Sequence, residues 1–295
     1  MIRDLIAIGE TMLCLAPPLK ESLRTAASVS LDHAGAESNT CVGLARLGLD
    51  VAWVSRLGDD SAGDRIVDAL TAERVNTQWV QRDPTRPTGL MVKENGAVRY
   101  YRAESAASVM KTEDLDPVPL GEARAVLVTG VTALIGPGPR AAGITLLTRA
   151  RGLRIVDPNL RDGLWGSARR AELVAGFVDR CDLLLGGADE LREIFNASDS
   201  DESLARHAAG RGPKEIVVRG ARTVGALCDG SWRTAPIERR DVVDAIGAGD
   251  AFNAGYIAVR LRGGSIDAAL RAAVRCGAAV TTSPSDTSGF PRSLD

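Results

Sequence analysis

The sequence predicts an α/β fold whose central, mainly parallel sheet is covered by helices on both faces, and two observations lead there. From Ala125 onward, strand candidates (Val126 to Thr129, Arg154 to Val156, Asp182 to Leu185, Glu215 to Val218) alternate with helix-like stretches (Arg140 to Arg151, Ala168 to Val178, Ala188 to Phe195). Strands that return at this spacing, with a helix between each pair, lie parallel in one covered sheet. The N-terminal third holds strands of the same kind, broken by two irregular β-like excursions.

Taken in order, Leu5 to Ile8 is a short apolar run that ends at Gly9, as a buried strand feeding a loop does. Regularity is then lost from Thr11 to His33, through Pro17 and Pro18 to a short alternating piece, Ala27 to Leu31. Glu37 to Leu47 is a small-residue amphipathic helix ended by Gly48; Val51 to Ser55 is a strand; Ser61 to Glu73 is a capped helix. The second excursion, Thr88 to about Met110, contains two runs around Asn95-Gly96 and predicts a hairpin. The two excursions are expected to meet as a small sheet over the strand ends. Ligands of such folds sit at the carboxyl ends of the strands, which directs attention to Asp157, Asn159 and Arg161, to Gly187 through Glu190, and to Arg219 through Gly225.

Composition narrows the partners. With 36 basic and 38 acidic residues in 295, the net charge of −2 gives no global attraction to nucleic acid or to an anionic membrane. Five scattered cysteines without a C-x-x-C pair, beside two histidines, suit reduced thiols in a cytoplasmic protein. No stretch approaches the ~20 apolar residues of a membrane span.

The stretch with the most chemistry is D-A-I-G-A-G-D-A-F-N, Asp244 to Asn253. Gly247 and Gly249 free the backbone and clear the space above it, and the apolar spacing that follows predicts a helix. Unpaired N–H groups and the positive end of the helix dipole then face whatever lies above the turn, which makes an anion site. Asp250 would oppose a resident phosphate by charge, so its use there is to take a proton from a nucleophile attacking that phosphate. The alternative is an ordinary loop in which Asp250 caps its own helix. A dinucleotide fingerprint would need glycine where Phe252 stands.

Together these pieces resemble the ribokinase-like (PfkB) family of carbohydrate kinases. One anchor is A-G-A-E-S-N-T-C-V-G-L-A-R-L-G, with Asn39, Gly48 and Gly58 at the family's spacing; the other is D-A-I-G-A-G-D-A-F-N-A-G, far away in the chain. The resemblance implies a three-layer α/β/α sandwich, with residues 1–11, 34–86 and 111–295 as the core, and residues 12–33 and 87–110 as a β lid. It implies ATP and Mg²⁺. It assigns the anion hole to Gly247, Ala248 and Gly249, and makes Asp250 the base. Glu190, last in Gly187-Ala188-Asp189-Glu190, would organise the metal, although the family's N-x-x-E has lost its amide at Gly187, so that water or Asp189 would help. The nucleotide loop corresponds to Val218 to Ala226, with Arg219, Gly220 and Gly225. Gly277 lies in the last helix near the adenine, where Val274 replaces a common asparagine.

Three further pieces are more similar to 2-keto-3-deoxygluconate kinases than to ribokinases, adenosine kinases or fructokinases: G-E-T-M at Gly9, Y-Y-R-A-E-S-A-A-S at Tyr100 and D-P-N-L-R-D-G-L-W at Asp157. The resemblance gives the sugar's hydroxyl end to Gly35 and Asn39. Asn159 is carried over as a substrate residue in the same way. Arg161 and Arg102 each offer a planar fork to a carboxylate, and Tyr100 a hydroxyl donor. Met91, Ala34 and Ala245 depart from the family's tyrosine, glycine and threonine; Trp165 is expected beneath the arginine loop and His33 to be structural. The sequence therefore points to phosphorylation of the terminal hydroxyl of 2-keto-3-deoxygluconate. Another sugar such as fructose or tagatose, a related keto-acid, or a non-catalytic sugar or nucleotide sensor are the alternatives. The exposed strand edges of a lid predict a homo-oligomer, with a lid-to-lid dimer as its form.

Overall fold

The apolar runs become strands buried on both faces, and the loops at their carboxyl ends converge on one side of the molecule. A computed structural model describes residues 3–18, 21–94, 97–161, 167–198, 200–237, 246–282 and 285–294. Its elements are, in order, β1 (Leu5–Ile8), β2 (Met12–Ala16), β3 (Ser30–Ala34), α1 (Ala36–Arg46), β4 (Val51–Val54), β5 (Arg56–Gly58), α2 (Ser61–Ala72), β6 (Gln81–Asp83), β7 (Leu90–Glu94) and β8 (Ala97–Tyr101). There follow β9 (Ala125–Thr129), α3 (Gly130–Leu134), α4 (Pro137–Arg149), β10 (Leu153–Asp157), α5 (Ser167–Val178), β11 (Leu183–Gly187), α6 (Ala188–Phe195), α7 (Asp201–Ala209), β12 (Glu215–Arg219), β13 (Thr223–Cys228), β14 (Ser231–Pro236), α8 (Ala248–Leu261) and α9 (Ile266–Val280).

The large sheet has the order β14-β13-β12-β11-β10-β9-β1-β4. It is parallel from β4 to β12, and β13 and β14 extend it antiparallel. The two-residue period of a strand divides its side chains between two cores. Leu5 and Ala7 of β1 join Leu44, Tyr256 and Leu270 on one face, while Ile6 and Ile8 join Leu146, Phe177 and Leu191 on the other. This is the three-layer α/β/α arrangement. The antiparallel extension was not legible beforehand, because T-V-G-A-L-C is short and its glycine reads as a break.

Helix ends follow local chemistry. Gly48 closes α1 in the left-handed region at φ +85, with its N–H donating to Ala45 O, a conformation that favours glycine. Asp60 caps α2 by accepting the Gly63 N–H at 2.8 Å, a contact worth about 1 kcal/mol.

The two irregular excursions do meet. They form a separate four-stranded sheet of order β3-β2-β7-β8, in which β2 and β7 lie parallel and β7 and β8 pair in the register Leu90↔Tyr101 to Glu94↔Ala97. Asn95 and Gly96, the expected turn between β7 and β8, lie outside the described residues, as do Trp165 and Ala245.

Candidate active site

The site begins with the turn that opens α8. Gly247 sits at φ +84, and a side chain there would also strike the backbone oxygen of Asp286, so two separate constraints select glycine. A side chain at Gly249 would meet nothing within 4 Å, which leaves the first-turn N–H groups of α8 approachable. Asp250 follows at once and is 5% exposed. Its Oδ2 accepts a hydrogen bond of 2.9 Å from Asn39 Nδ2, which joins the first turns of α1 and α8 across 211 residues of sequence. Burial is the main cause that pushes Asp250 up to about 8; Asn39 and Arg161 draw it down, and Asp157 and Asp286 raise it. A carboxyl titrating there is tuned for base work near neutrality.

Around Asp250 the structure brings together the residues expected to bind substrate. Gly35, Asn39, Tyr100, Arg102, Asn159 and Arg161 line one pocket with it. Gly35 lies so close to Glu10 O and Thr11 Oγ1 that a Cβ would collide with both, which seats the start of α1 directly on the β1–β2 connection. Asn39 Oδ1 and Asn159 Oδ1 are buried oxygens with no hydrogen-bond partner among the described residues, and both belong to this pocket. Buried acceptors of that kind call for donors such as sugar hydroxyls. Asn159 holds a positive φ of 39°, with its N–H donating to Asp157 Oδ1 at 3.0 Å.

The two arginines differ. Arg102 is buried and committed: its Nε donates to Glu10 Oε2 at 2.6 Å, Glu10 Oε1 accepts from Ser105 Oγ at 2.6 Å, and the guanidinium lies 5.4 Å from the centre of the Tyr100 ring. Arg161 is exposed, and its guanidinium makes no hydrogen bond or ion pair among the described residues. Met91, in place of the family's tyrosine, packs with Met12, Cys14 and Ala34 and lines the pocket wall. His33 is buried, with Nδ1 3.4 Å from Asp32, and does not line the pocket.

Comparison with known proteins now decides the family. A model of the pfkB family of carbohydrate kinases matches residues 2–292. The chain belongs to the pfkB family. A 2-dehydro-3-deoxygalactonokinase from Haloferax volcanii is 30% identical over 92% of this chain and 88% of its own length. A 2-dehydro-3-deoxygluconokinase from Bacillus subtilis is 29% identical over 98% and 92%. The solved 2-dehydro-3-deoxygluconokinase of Thermotoga maritima superposes with a TM-score of 0.88 at 25% identity, covering 96% of this chain and 94% of that one. Fructokinases match too, one from Klebsiella pneumoniae at 29% identity over 87% of the chain and 88% of its own length.

For a pfkB-family kinase, the nucleotide side of this site departs from expectation at several residues. Arg219 does not face outward from the β12–β13 turn. Its guanidinium turns under α8, donating to Asn253 Oδ1 at 2.8 Å and to Asp157 at 3.2 and 3.3 Å, while Asn253 Nδ2 donates to Asp157 Oδ2 at 2.6 Å. Gly225 lies inside β13 and not in the turn; a side chain there would enter the Trp232 ring, so this glycine serves strand packing. Gly220 does form the turn, its N–H donating to Thr223 O at 3.0 Å. A Cβ at Gly277 would stand 3.2 Å from Ala248 O, closer than side chains normally pack, and in ordinary contact with Phe252, where α9 meets the start of α8; Val274 belongs to the core.

Glu190 curls back onto its own helix. Oε2 accepts the Gly187 N–H at 2.7 Å and Oε1 the Leu160 N–H at 2.8 Å, and a Cβ at Gly187 would lie 2.8 Å from Oε2. The missing amide at 187 and the seat of Glu190 are therefore one feature. Burial, followed by the Asp157 carboxylate, pushes Glu190 above the usual carboxylate range, and Arg219 opposes this. Asp189 has a fully exposed side chain and pairs with Arg192 at 2.9 Å. Among the described residues, no three acids, histidines or cysteines gather into a cage. Mg²⁺ keeps several waters and binds through one or two carboxylates plus phosphates. Glu190, with one N–H on each oxygen and lone pairs to spare, fits an ion held in that way.

The sequence singles out Asp157 at the end of its strand, whereas it gives Glu10, Asn253 and Asp286 no role in the site. Glu10 had a signal in G-E-T-M, an acid placed where a buried strand ends. Asp286 had none, since the S-D-T-S-G-F segment reads as an irregular tail.

Proposed function

We propose that this protein is an ATP-dependent, Mg²⁺-assisted kinase that phosphorylates the terminal hydroxyl of 2-keto-3-deoxygluconate. One observation carries the choice of a sugar acid over a neutral sugar. In the pocket Glu10 is paired with Arg102 and Asp286 with Lys93, while Arg161, which acts on Asp250 through charge without a hydrogen bond, makes no ion pair among the described residues. Such a fork at the rim of the pocket suits a planar carboxylate. The names of the gluconate and galactonate relatives support the same class.

In this reading Asn39 and Asn159 accept from the sugar's hydroxyls, Arg161 fixes the carboxylate end, and the terminal hydroxyl is left beside Asp250. As its oxygen bonds to the γ-phosphorus and the bond to the leaving ADP oxygen breaks, the hydroxyl proton passes to Asp250. The N–H groups of Gly247, Ala248 and Gly249 take the charge on the transferring phosphoryl oxygens. Glu190 would hold Mg²⁺, which when bound would supply neutralisation of charge along the phosphates. The small sheet acts as a lid that keeps out water, a competing acceptor, with 12–33 and 87–110 as the moving parts. We place the protein in the cytoplasm, where ATP is supplied, and as a dimer joined through that sheet.

A phosphorylation screen with ATP over 2-keto-3-deoxygluconate, its galactonate epimer, related aldonic acids, fructose and tagatose tests the reading. The sugar acids should exceed the neutral sugars in kcat/KM by at least about 100-fold. Equal or greater turnover of a neutral ketohexose would overturn it in favour of the second reading, a fructokinase-type activity, which the fructokinase relatives favour.

A further inference from the structure

The two walls of the pocket offer a ligand different things. On the large-sheet side, Asn39, Asn159, Arg161 and Asp250 present amide and carboxylate oxygens and a guanidinium, and Asn39 Oδ1 and Asn159 Oδ1 are the buried acceptors that call for donors. The other wall is one face of the small sheet, where Met12 of β2, Ala34 of β3, Met91 of β7 and Val98 of β8 all line the same pocket. Nothing in the proposed transfer step requires that wall to be made of carbon and sulfur.

Strand pairing makes the apolar face continuous. Met12 stands opposite Ala34, and Met91 lies between Cys14 on one neighbouring strand and Tyr100 on the other, with Val98 two residues before Tyr100 and so on the same face. Met12, Ala34 and Met91 are buried and pack with Cys14 into one cluster. A Cβ at Gly89 would lie 3.0 Å from Met12 Cγ, so the approach to β7 packs directly on that methionine. Among the described side chains of the small sheet that line the pocket, Tyr100 carries the one hydroxyl. The Arg102 guanidinium just beyond it is taken by Glu10.

A chain with a hydroxyl on every carbon fits badly between such walls. Held through some of its hydroxyls by Asn39 and Asn159, it must turn others toward the methionines, where they lose water and gain no partner. A methylene in that place loses nothing and gains contact with polarisable sulfur. We propose that Met91, with Met12 and Ala34, determines specificity by reading a carbon that bears no hydroxyl: the wall accepts the methylene at carbon 3 of a 2-keto-3-deoxy acid and rejects the acid that keeps a hydroxyl there. Met91 is the centre of the wall, since β2 and β7 are the inner strands of the sheet. The family's tyrosine would set a second phenol beside Tyr100, and Met91 keeps the patch without one. The inference rests on the reading of the substrate as a sugar acid and adds which carbon the pocket inspects.

The test compares kcat/KM for 2-keto-3-deoxygluconate and 2-ketogluconate, which differ only in the hydroxyl at carbon 3, with saturating ATP and Mg²⁺. Wild type should prefer the deoxy acid by about 10- to 100-fold, the range over which an apolar wall rejects an added hydroxyl. Met91→Gln, similar in length and able to hydrogen-bond, should cut that preference by about 5-fold or more. Ala34→Ser, a smaller change that adds a hydroxyl to the same wall, should cut it by about 2- to 5-fold, and serves where glutamine at 91 impairs folding. Met91→Leu should keep the preference within about 2-fold. A residue that merely holds the sheet together would lower both acids alike and leave their ratio unchanged. Equal use of the two acids by wild type, or an unchanged ratio in both Met91→Gln and Ala34→Ser, overturns the wall as the selecting element and leaves the sugar-acid reading in place. Turnover of a neutral sugar with neither acid used overturns that reading, and this inference with it.

Discussion

The large and small sheets approach the pocket from opposite sides and are stabilised in different ways. In the large sheet, β1, β4 and β9 are buried at every residue, and charges at its strand ends are met nearby, Arg154 by Asp182 and Glu215 by Arg260 and Tyr256 of the covering helix α8. The small sheet has little core of its own. Met12, Cys14, Ala34 and Met91 form its buried cluster, β8 alternates between exposed and half-buried, and Leu31 and Tyr101 stand 43% and 59% exposed on its two edge strands. The difference separates two tasks. In the proposed function a rigid layer holds the glycine turn and Asp250, while a weakly buttressed one carries the side chains that recognise the sugar, and low local burial permits it to move.

The largest effect should come from the rigid side. Asp250→Asn is expected to fold and bind both substrates, yet lose turnover by about 10² to 10⁴, measured by steady-state kinetics beside ligand-binding titrations. Near-wild-type turnover would move the chemistry out of the large-sheet layer. Next, Arg161→Lys should lower kcat/KM for sugar acids about 10- to 100-fold and for neutral sugars by about 2-fold or less, because an ammonium cannot copy the fork. Equal losses on both would end the assignment of carboxylate recognition to Arg161.

The pH dependence should sharpen the same contrast. Since Asp250 must be ionised to act, kcat/KM should fall about tenfold for each unit below its value of about 8 and level off above it. Stability runs the other way. The folded-state value lies above the unfolded one, so the contribution is intact at low pH and is lost as pH rises toward about 8. The melting temperature of Asp250→Asn should therefore gain on wild type between pH 4 and 8, and a constant difference across that range would contradict the burial argument. The smallest effect tests the edge of the large sheet. Gly225→Ala should cost about 1 to 3 kcal/mol by driving a methyl group into Trp232, with KM for ATP unchanged. A changed KM without loss of stability would return Gly225 to the nucleotide site.

The central strands and the glycine turn that opens α8 were legible in the sequence because each is a local pattern: an apolar run with helical spacing after it, or two glycines and an acid ahead of a helix. The pairing of the two excursions was legible as well, as β-like pieces with no other partner. What stayed hidden was decided by contacts between distant residues. Nothing near Arg219 says that it will turn inward, because Asp157 and Asn253 lie 62 and 34 positions away. Gly225 resembled a loop glycine because its reason, the Trp232 ring, belongs to the next strand. Glu190 looked like a residue that had lost a partner at 187, whereas the carboxylate itself fills that space.

The bond between Asn39 and Asp250 also has a bearing on how the chain is made. Arg46, at the far end of the same helix, donates to the carbonyls of Thr287 and Phe290 at 2.6 and 3.3 Å, so α1 is fastened at both ends to residues that leave the ribosome more than two hundred positions after it. Until they emerge, Asn39 lacks Asp250 and Arg46 lacks the C-terminal carbonyls that hold it. On this plan the two ends of α1 gain their partners only after Asp250 and Thr287 to Phe290 have been made.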